Sequence, residues 1–277
     1  MRLRMWGVRG SIPTPGPDTV EFGGNTSCYS VEAGGGTLIL DGGTGLRVLG
    51  LSLLRRMPVE AWMFFSHVHW DHIQGFPFFA PAFVPGNRFH LFGGANVSRT
   101  LEEILAGQMD HPSFPVLLTD MAATMTFRDL HEGEEVLVGP HHDVRVTTTR
   151  GNHPNGVYAF RIEHDGKSIV YITDSEHYAI VDPKLAKLAR GADVLVMDAM
   201  YTPEEYAGEV GGGPKTGWGH ATYVAACELA RTAEVKRLVL HHHDPMQTDA
   251  MVRDKERRAQ ELFAPTIAAR EGLELEV

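Results

Sequence analysis

The sequence predicts an α/β fold in which two β-sheets pack together and helices cover the outside. Three observations predict it. Short apolar runs bounded by Gly, Pro, Asn and Asp recur in both halves of the chain. Segments of helical spacing follow the strands in each half. Two packed sheets with outer helices bury both kinds of apolar face. The chain has 277 residues and no visible repeat, low-complexity stretch or linker. Two-sheet folds of about 200–250 residues are often undivided, so residues 1–277 are expected to form one domain.

Taken in order, residues 27–32 alternate around Tyr29 and Val31 and read as a strand. Residues 37–40 form the next one, after Gly34–Gly36, and Asp41-Gly42-Gly43 ends it. Residues 46–56 have helical spacing and stop before Pro58. Residues 61–65 are continuously apolar, as a strand buried on both faces would be. The Phe- and Pro-rich segment 74–90 reads as a loop, and 101–109 as a helix. Strands are expected at 136–138, 144–149, 157–163 and 168–173, with His164-Asp165-Gly166-Lys167 turning between the last two. A helix at 183–190 precedes a strand at 194–197. Thr202-Pro203-Glu204-Glu205 starts a helix, with Thr as cap and Pro at the first position. Residues 221–233 form a helix, 238–240 a strand, and 249–271 mostly helix.

Composition narrows the partners. Hydrophobic residues make up 43% of the chain, enough for a large core. The net charge of −10 argues against a surface built to grip a nucleic acid backbone and favours a small substrate. Cys28 and Cys227 lie far apart and make no metal spacing, which suits a reduced, cytoplasmic setting. No apolar run has the length of a signal peptide core or a membrane span.

The strongest local signal is His67-Val68-His69-Trp70-Asp71-His72, directly after the 61–65 strand. In an extended segment His67, His69 and Asp71 share a side, and His72 turns towards the same cavity as the chain bends. Imidazole with carboxylate suits zinc, manganese or iron. Six residues cannot fill two metal shells, and further ligand types follow at later strand ends: His153 between two strands, Asp174 after 169–173, and His241-His242-His243-Asp244 after 238–240.

In this order His67, His69, Asp71, His72, His153, Asp174 and His242 resemble the metallo-β-lactamase superfamily across nearly the whole chain. Trp6-Gly7-Val8-Arg9-Gly10-Ser11, Gly23-Gly24-Asn25-Thr26-Ser27-Cys28, Asp41-Gly42-Gly43-Thr44-Gly45 and Gly219-His220-Ala221-Thr222 resemble its phosphodiesterase branch. That branch includes the tRNA 3′-processing endonuclease and the phosphoribosyl cyclic phosphate phosphodiesterase. The resemblance implies a four-layer αββα sandwich of two mixed sheets and two divalent metal ions, zinc with manganese as the alternative. One ion would be held by His67, His69 and His153, the other by Asp71, His72 and His242, with Asp174 between them. The family spacing after the Leu-Val-Leu strand selects His242, and His241 and His243 would point the other way.

The implied reaction is hydrolysis of a small, cyclic phosphodiester by hydroxide shared between the metals. Asp71 would also orient that nucleophile. His220 would protonate the leaving alkoxide, and Asp198, ending the 194–197 strand, would fix its tautomer. The tRNA endonuclease carries a His just before this acid, whereas this chain has Met197. Arg9, Asn25 and Thr26 are weaker candidates for contacting the phosphate, Arg9 through a bidentate guanidinium or else merely tying a turn. Asp41 would brace the 67–72 loop or simply close an Asx turn. Of Phe76, Phe78, Phe79, Phe83 and Phe114, one or two would wall the pocket.

Two other reactions share this fold. The tRNA endonuclease inserts a long arm between its third His and the bridging Asp, and here His153 and Asp174 are only 21 residues apart. A lactone or thioester hydrolase would not need the Gly-His-Ala-Thr segment. Expected partners are therefore a small phosphodiester, no large nucleic acid and no membrane, with a homodimer possible by analogy.

Overall fold

The computed structural model describes residues 1–94 and 99–277. The first sheet contains β1 (Arg2–Gly7), β2 (Cys28–Ala33), β3 (Gly36–Leu40), β4 (Glu60–Phe65), β5 (Arg88–Gly94) and β6 (Thr124–Leu130). The second contains β7 (Glu135–Val138), β8 (Val144–Gly151), β9 (Val157–His164), β10 (Lys167–Ile172), β11 (Val194–Asp198), β12 (Leu238–His241) and β13 (Thr266–Ala268). A last strand, β14 (Glu274–Glu276), returns to the first sheet beside β1, so each sheet has seven strands. Both sheets are mixed. Strands β3 to β6 and β10 to β13 run parallel, and β1 to β3 and β7 to β10 antiparallel.

Alternation along the strands makes the layers. In β4, Trp62 and Phe64 enter the core between the sheets, while Ala61, Met63 and Phe65 face the helices. In β10, Ile169 and Tyr171 face the other sheet, and Val170 and Ile172 face outwards. Both strands are covered on two sides there, which is why residues 61–65 and 169–172 are apolar without interruption. Phe64 stacks on Phe92 at 4.7 Å and meets Phe160 of the opposite sheet edge-on at 5.5 Å. Truncating such a buried ring costs about 3–5 kcal/mol. Helices α1 (Gly45–Leu53), α2 (Trp70–Ile73) and α3 (Leu101–Gly107) lie in the first half, and α4 (Pro183–Ala189), α5 (Pro203–Ala207), α6 (Tyr223–Thr232) and α7 (Asp249–Leu262) in the second. The architecture is the expected αββα sandwich. Among the described residues no helix is long and apolar enough to cross a membrane.

Several elements differ from the sequence reading. Five strands were not expected: β1, β5, β6, β13 and β14. The 74–90 segment is not all loop; it holds short 3-10 turns at Phe76–Phe78 and Ala80–Phe83 and the start of β5. The helix expected over 249–271 ends at Leu262, three residues before Pro265, whose missing N–H cannot continue it. The 67–72 segment is extended only as far as His69, which caps α2, so Asp71 and His72 sit on a helical turn. The 164–167 turn places Asp165 at φ 51° and Gly166 at φ 69°, both left-handed, as a tight two-residue hairpin requires.

Candidate metal centre

Parallel strands put the chemistry on one edge, because β3, β4, β10, β11 and β12 all end there. Asp41, the 67–72 segment, Asp174, Asp198 and His242 follow or close those ends. Three of them leave the strand through the left-handed region: Asp41 at φ 59°, Asp174 at 47° and His242 at 62°. Non-glycine residues in that region are uncommon and carry strain that the surroundings must hold.

The side chains converge as two groups. His67, His69 and His153 form one; Asp71, His72, Asp174 and His242 form the other, and within each group the ligand atoms lie within 4.8 Å of one another. Asp174 faces both. Its Oδ1 is 3.2 Å from Nε2 of His72 and of His242, and its Oδ2 is 3.7 Å from His67 Nε2 and 3.8 Å from His153 Nε2. Asp71 Oδ2 lies 3.1 Å from His242 Nε2 and accepts from the Ser11 N–H at 2.7 Å.

The donor set fits divalent metal ions. His67 Nε2 is buried and has no hydrogen-bond partner. The Nε2 atoms of His72 and His242 are 3.3 Å apart, and two nitrogens at about 2.0–2.1 Å from a tetrahedral ion would be spaced by about that distance. The opposite ring nitrogens of His72 and His153 are occupied, which fixes their tautomers. His72 Nδ1 donates to Asp41 Oδ2 at 2.8 Å, and His153 Nδ1 donates to the Gly219 carbonyl at 2.9 Å. Asp41 also accepts from Ser66 N at 2.7 Å, Ser66 Oγ at 2.8 Å and the Tyr171 hydroxyl at 2.7 Å, so it braces the segment from both sheets. Burial pushes the pKa values of His67, His69 and His153 down, which keeps them neutral. Burial opposes ionisation of Asp174, but His242, His72 and His67 outweigh it and hold the carboxyl well below the usual range. Neutral imidazoles and ionised carboxylates are the forms that ligate; burial opposes a charged His72, but Asp71, Asp174 and Asp41 outweigh it and push its pKa up, so it would give up a proton to an ion.

The His triplet divides three ways. His241 turns into the inter-sheet core, with Nδ1 2.8 Å from the Tyr29 hydroxyl. His243 donates from Nε2 to the Ala269 carbonyl at 2.9 Å. His242 alone joins the ligand group. Its ring packs over Gly10, where a Cβ would come within 2.4 Å of it.

Beside these groups, His220 Nδ1 is 2.8 Å from Asp198 Oδ2, and the other Asp198 oxygen accepts from Met200 N and Ala221 N at 3.0 and 3.2 Å. Burial works against a charged His220, but Asp198, aided by Asp174 and Asp71, more than offsets it and lifts the pKa to about 9. His220 also lies close enough to Asp174 and His242 to share a ligand cluster with them and Asp198.

One residue of this region escaped the sequence reading. Glu176, two residues past Asp174, accepts from Gly217 N at 2.8 Å, Gly219 N at 2.9 Å and the Tyr206 hydroxyl at 2.6 Å. It holds the glycine-rich loop that carries His220 and whose Gly219 carbonyl orients His153. Gly219 sits at φ +88°, and a Cβ there would meet His153 Nδ1 at 2.1 Å. The only signal was an acid close to a ligand-type Asp.

The weaker candidates lie elsewhere. Arg9 is fully buried; it donates to the carbonyls of Gly23, Asp244 and Gln247 at 2.8, 3.2 and 2.6 Å. This is the turn-tying arrangement. Asn25 donates to Glu271 at 2.9 Å, and Thr26 Oγ1 accepts from Thr44 N at 2.9 Å. Phe76 and Phe79 are buried in the helix-side core, and Phe83 and Phe114 pack against it. Phe78 is exposed and meets Phe114 edge-on.

Two adjoining His/Asp clusters at the strand ends of an αββα sandwich define a metal-dependent hydrolase. A model of the β-lactamase superfamily domain matches residues 37–243, and the chain belongs to that superfamily. A ribonuclease Z from Nitrosopumilus maritimus is 22% identical over 91% of this chain and 93% of its own length. The metallo-β-lactamase fold protein YhfI from Bacillus subtilis superposes with a TM-score of 0.72 at 19% identity, covering 100% of this chain and 98% of that one. A diphosphatase from the PhnP family superposes with a TM-score of 0.70, also at 19% identity, covering 100% and 97%.

Proposed function

We propose that this chain is a cytoplasmic, dinuclear, zinc-dependent phosphodiesterase that hydrolyses a small, cyclic phosphodiester. The observation that carries this reading is the pairing of two ligand groups about Asp174 with a separate Asp198–His220 pair beside them. His67, His69 and His153 would hold one ion; Asp71, His72 and His242 would hold the other. Divalent ions at these positions would supply Lewis acidity, which would favour hydroxide near neutral pH and offset charge on the phosphate.

The chain's own residues do the rest. Asp41 and the Gly219 carbonyl fix the tautomers of His72 and His153, and Ser11 N–H holds Asp71 where it can orient the attacking group. His220 holds a proton for the leaving alkoxide, which departs poorly as a bare anion because its conjugate acid is weak. Asp198 accepts from Nδ1, which leaves Nε2 as the proton-delivering atom. The β9–β10 hairpin supports a small substrate, since it takes up residues 157–172 of the interval between His153 and Asp174. The acidic net charge supports it as well.

A second reading, tRNA 3′ processing, is favoured by the ribonuclease Z relative aligned along nearly the whole chain. The test is a panel of bis(p-nitrophenyl) phosphate, 2′,3′- and 3′,5′-cyclic nucleotides, a ribosyl cyclic phosphate, precursor tRNA, a lactone and a β-lactam. The expected result is a kcat/KM for one cyclic phosphodiester well above that for precursor tRNA. Efficient cleavage of precursor tRNA at its 3′ end, or turnover of the lactone alone, overturns the proposal.

A further inference from the structure

We infer that the groove beside His67 and His69 is a subsite for a second anionic group on the substrate, held by Arg150. The inference rests on the phosphodiesterase reading and extends it to substrate class. The groove is a cavity of about 130 Å³ that has His67 and His69 in its wall, so it opens onto the first ligand group. Leu101, Ile104 and Tyr158 give it an apolar lining, and Arg150 contributes the cation. Among the described residues no Asp or Glu lines it, in a chain with 35 acidic and 25 basic residues. An acid-free recess next to a metal centre is where an anion meets least repulsion.

The placement of Arg150 follows from strand pairing. Arg150 and Tyr158 face each other across β8 and β9. The guanidinium lies 3.3–3.4 Å from the Tyr158 hydroxyl through Nη2 and Nε, and 5.4 Å from the ring centroid. The phenol therefore positions the guanidinium without neutralising it. Among the described residues Arg150 makes no ion pair, and Glu132 in its neighbourhood is bound by Lys184 at 3.0 Å. Tyr158 is itself fixed. Its ring covers Gly94, where a Cβ would come within 2.1 Å, and its N–H donates to the Ser66 carbonyl at 2.8 Å. Ser66 immediately precedes His67, so Arg150 is held in register with the metal centre.

A single guanidinium over an apolar lining suits a phosphate or carboxylate on a short stem. The guanidinium fork matches either anion through two parallel hydrogen bonds.

The test uses three substrates with one leaving group: the ethyl, 2-carboxyethyl and 2-phosphonoethyl esters of 4-nitrophenyl phosphate. For the wild-type protein, kcat/KM for an anionic arm is expected to exceed that for the ethyl arm by about tenfold, against the repulsion from the net charge. The better of the two arms tells phosphate from carboxylate. The ratio should fall to near one in Arg150→Ala and to an intermediate value in Arg150→Lys, which keeps the charge but loses the fork. No preference in the wild type, or a ratio that survives Arg150→Ala, overturns the inference. If no ester is turned over, the phosphodiesterase reading is what fails. The subsite is then decided by calorimetric binding of 3-phosphonopropionate to metal-replete protein: weaker binding by Arg150→Ala upholds it, and equal binding overturns it.

Discussion

Replacing His220 by Ala removes a group that stands beside the ligand clusters and touches both. Its ring lies 4.9 Å from that of His242 and 5.2 Å from that of His153, and its Nδ1 is 2.8 Å from Asp198. If His220 donates a proton, the loss must depend on the leaving group. An alkoxide departs poorly without a proton, and a general acid is worth about 10²–10⁴ in rate, or about 2.7–5.4 kcal/mol. The p-nitrophenolate anion departs unaided, so the same variant should lose much less on a p-nitrophenyl ester. Asp198→Asn should show the same order more mildly, because the backbone amides of Met200 and Ala221 still hold the side chain. The assay is kcat/KM for an alkyl and a p-nitrophenyl phosphodiester in wild type and both variants, with metal content measured alongside. An equal loss on both esters refutes the proton-donor role. A loss of metal in His220→Ala would place His220 among the ligands, in the cluster it shares with Asp174, Asp198 and His242.

Three further outcomes are expected. His242→Ala should lose metal and activity, while His241→Ala and His243→Ala keep most of their metal by elemental analysis, because those two rings point into the core and towards the Ala269 carbonyl. Glu176→Gln leaves at least one of the Gly217 and Gly219 amides without its carboxylate acceptor; the denaturation midpoint should fall by an amount equivalent to about 1–3 kcal/mol, and alkyl esters should suffer more than p-nitrophenyl esters. Lys255 is fully buried, with Nζ donating to the Ala199 carbonyl and to Gln247 Oε1, both at 2.7 Å, and burial lowers its pKa to about 7. The unfolded chain, with an ordinary lysine near 10.5, binds the proton more tightly, so this contribution to stability is complete above the unfolded value and is lost as pH falls through about 7. The stability of wild type relative to Lys255→Met, read by urea denaturation, should therefore rise between pH 7 and 10 with a slope of up to about 1.4 kcal/mol per unit, and a flat difference would contradict it.

The parts of the fold that were legible in the sequence are those where burial acts on both strand faces. Residues 61–65 and 169–172 are apolar throughout because helices cover one side and the opposite sheet the other. The missed strands lack that mark. In β6 exposed and partly buried positions alternate, and Arg2 and Arg4 of β1 pair with Glu274 at the β14 edge. The candidate ligands were readable because several ligand-type residues crowd the strand ends. Strand alternation separated His242 from its neighbours, yet the structure does this by another route, since His242 lies just past β12 in a left-handed conformation. Glu176 and Arg150 were not readable. Their roles come from a distant loop and from cross-strand register, and neither leaves a local pattern.

A two-ion centre about Asp174 is tested by elemental analysis of protein purified after metal-replete expression, paired with phosphodiesterase activity before and after chelation. About two divalent ions per chain are expected, mostly zinc, with activity lost on removal and restored on return. Metal near zero with activity retained would contradict it.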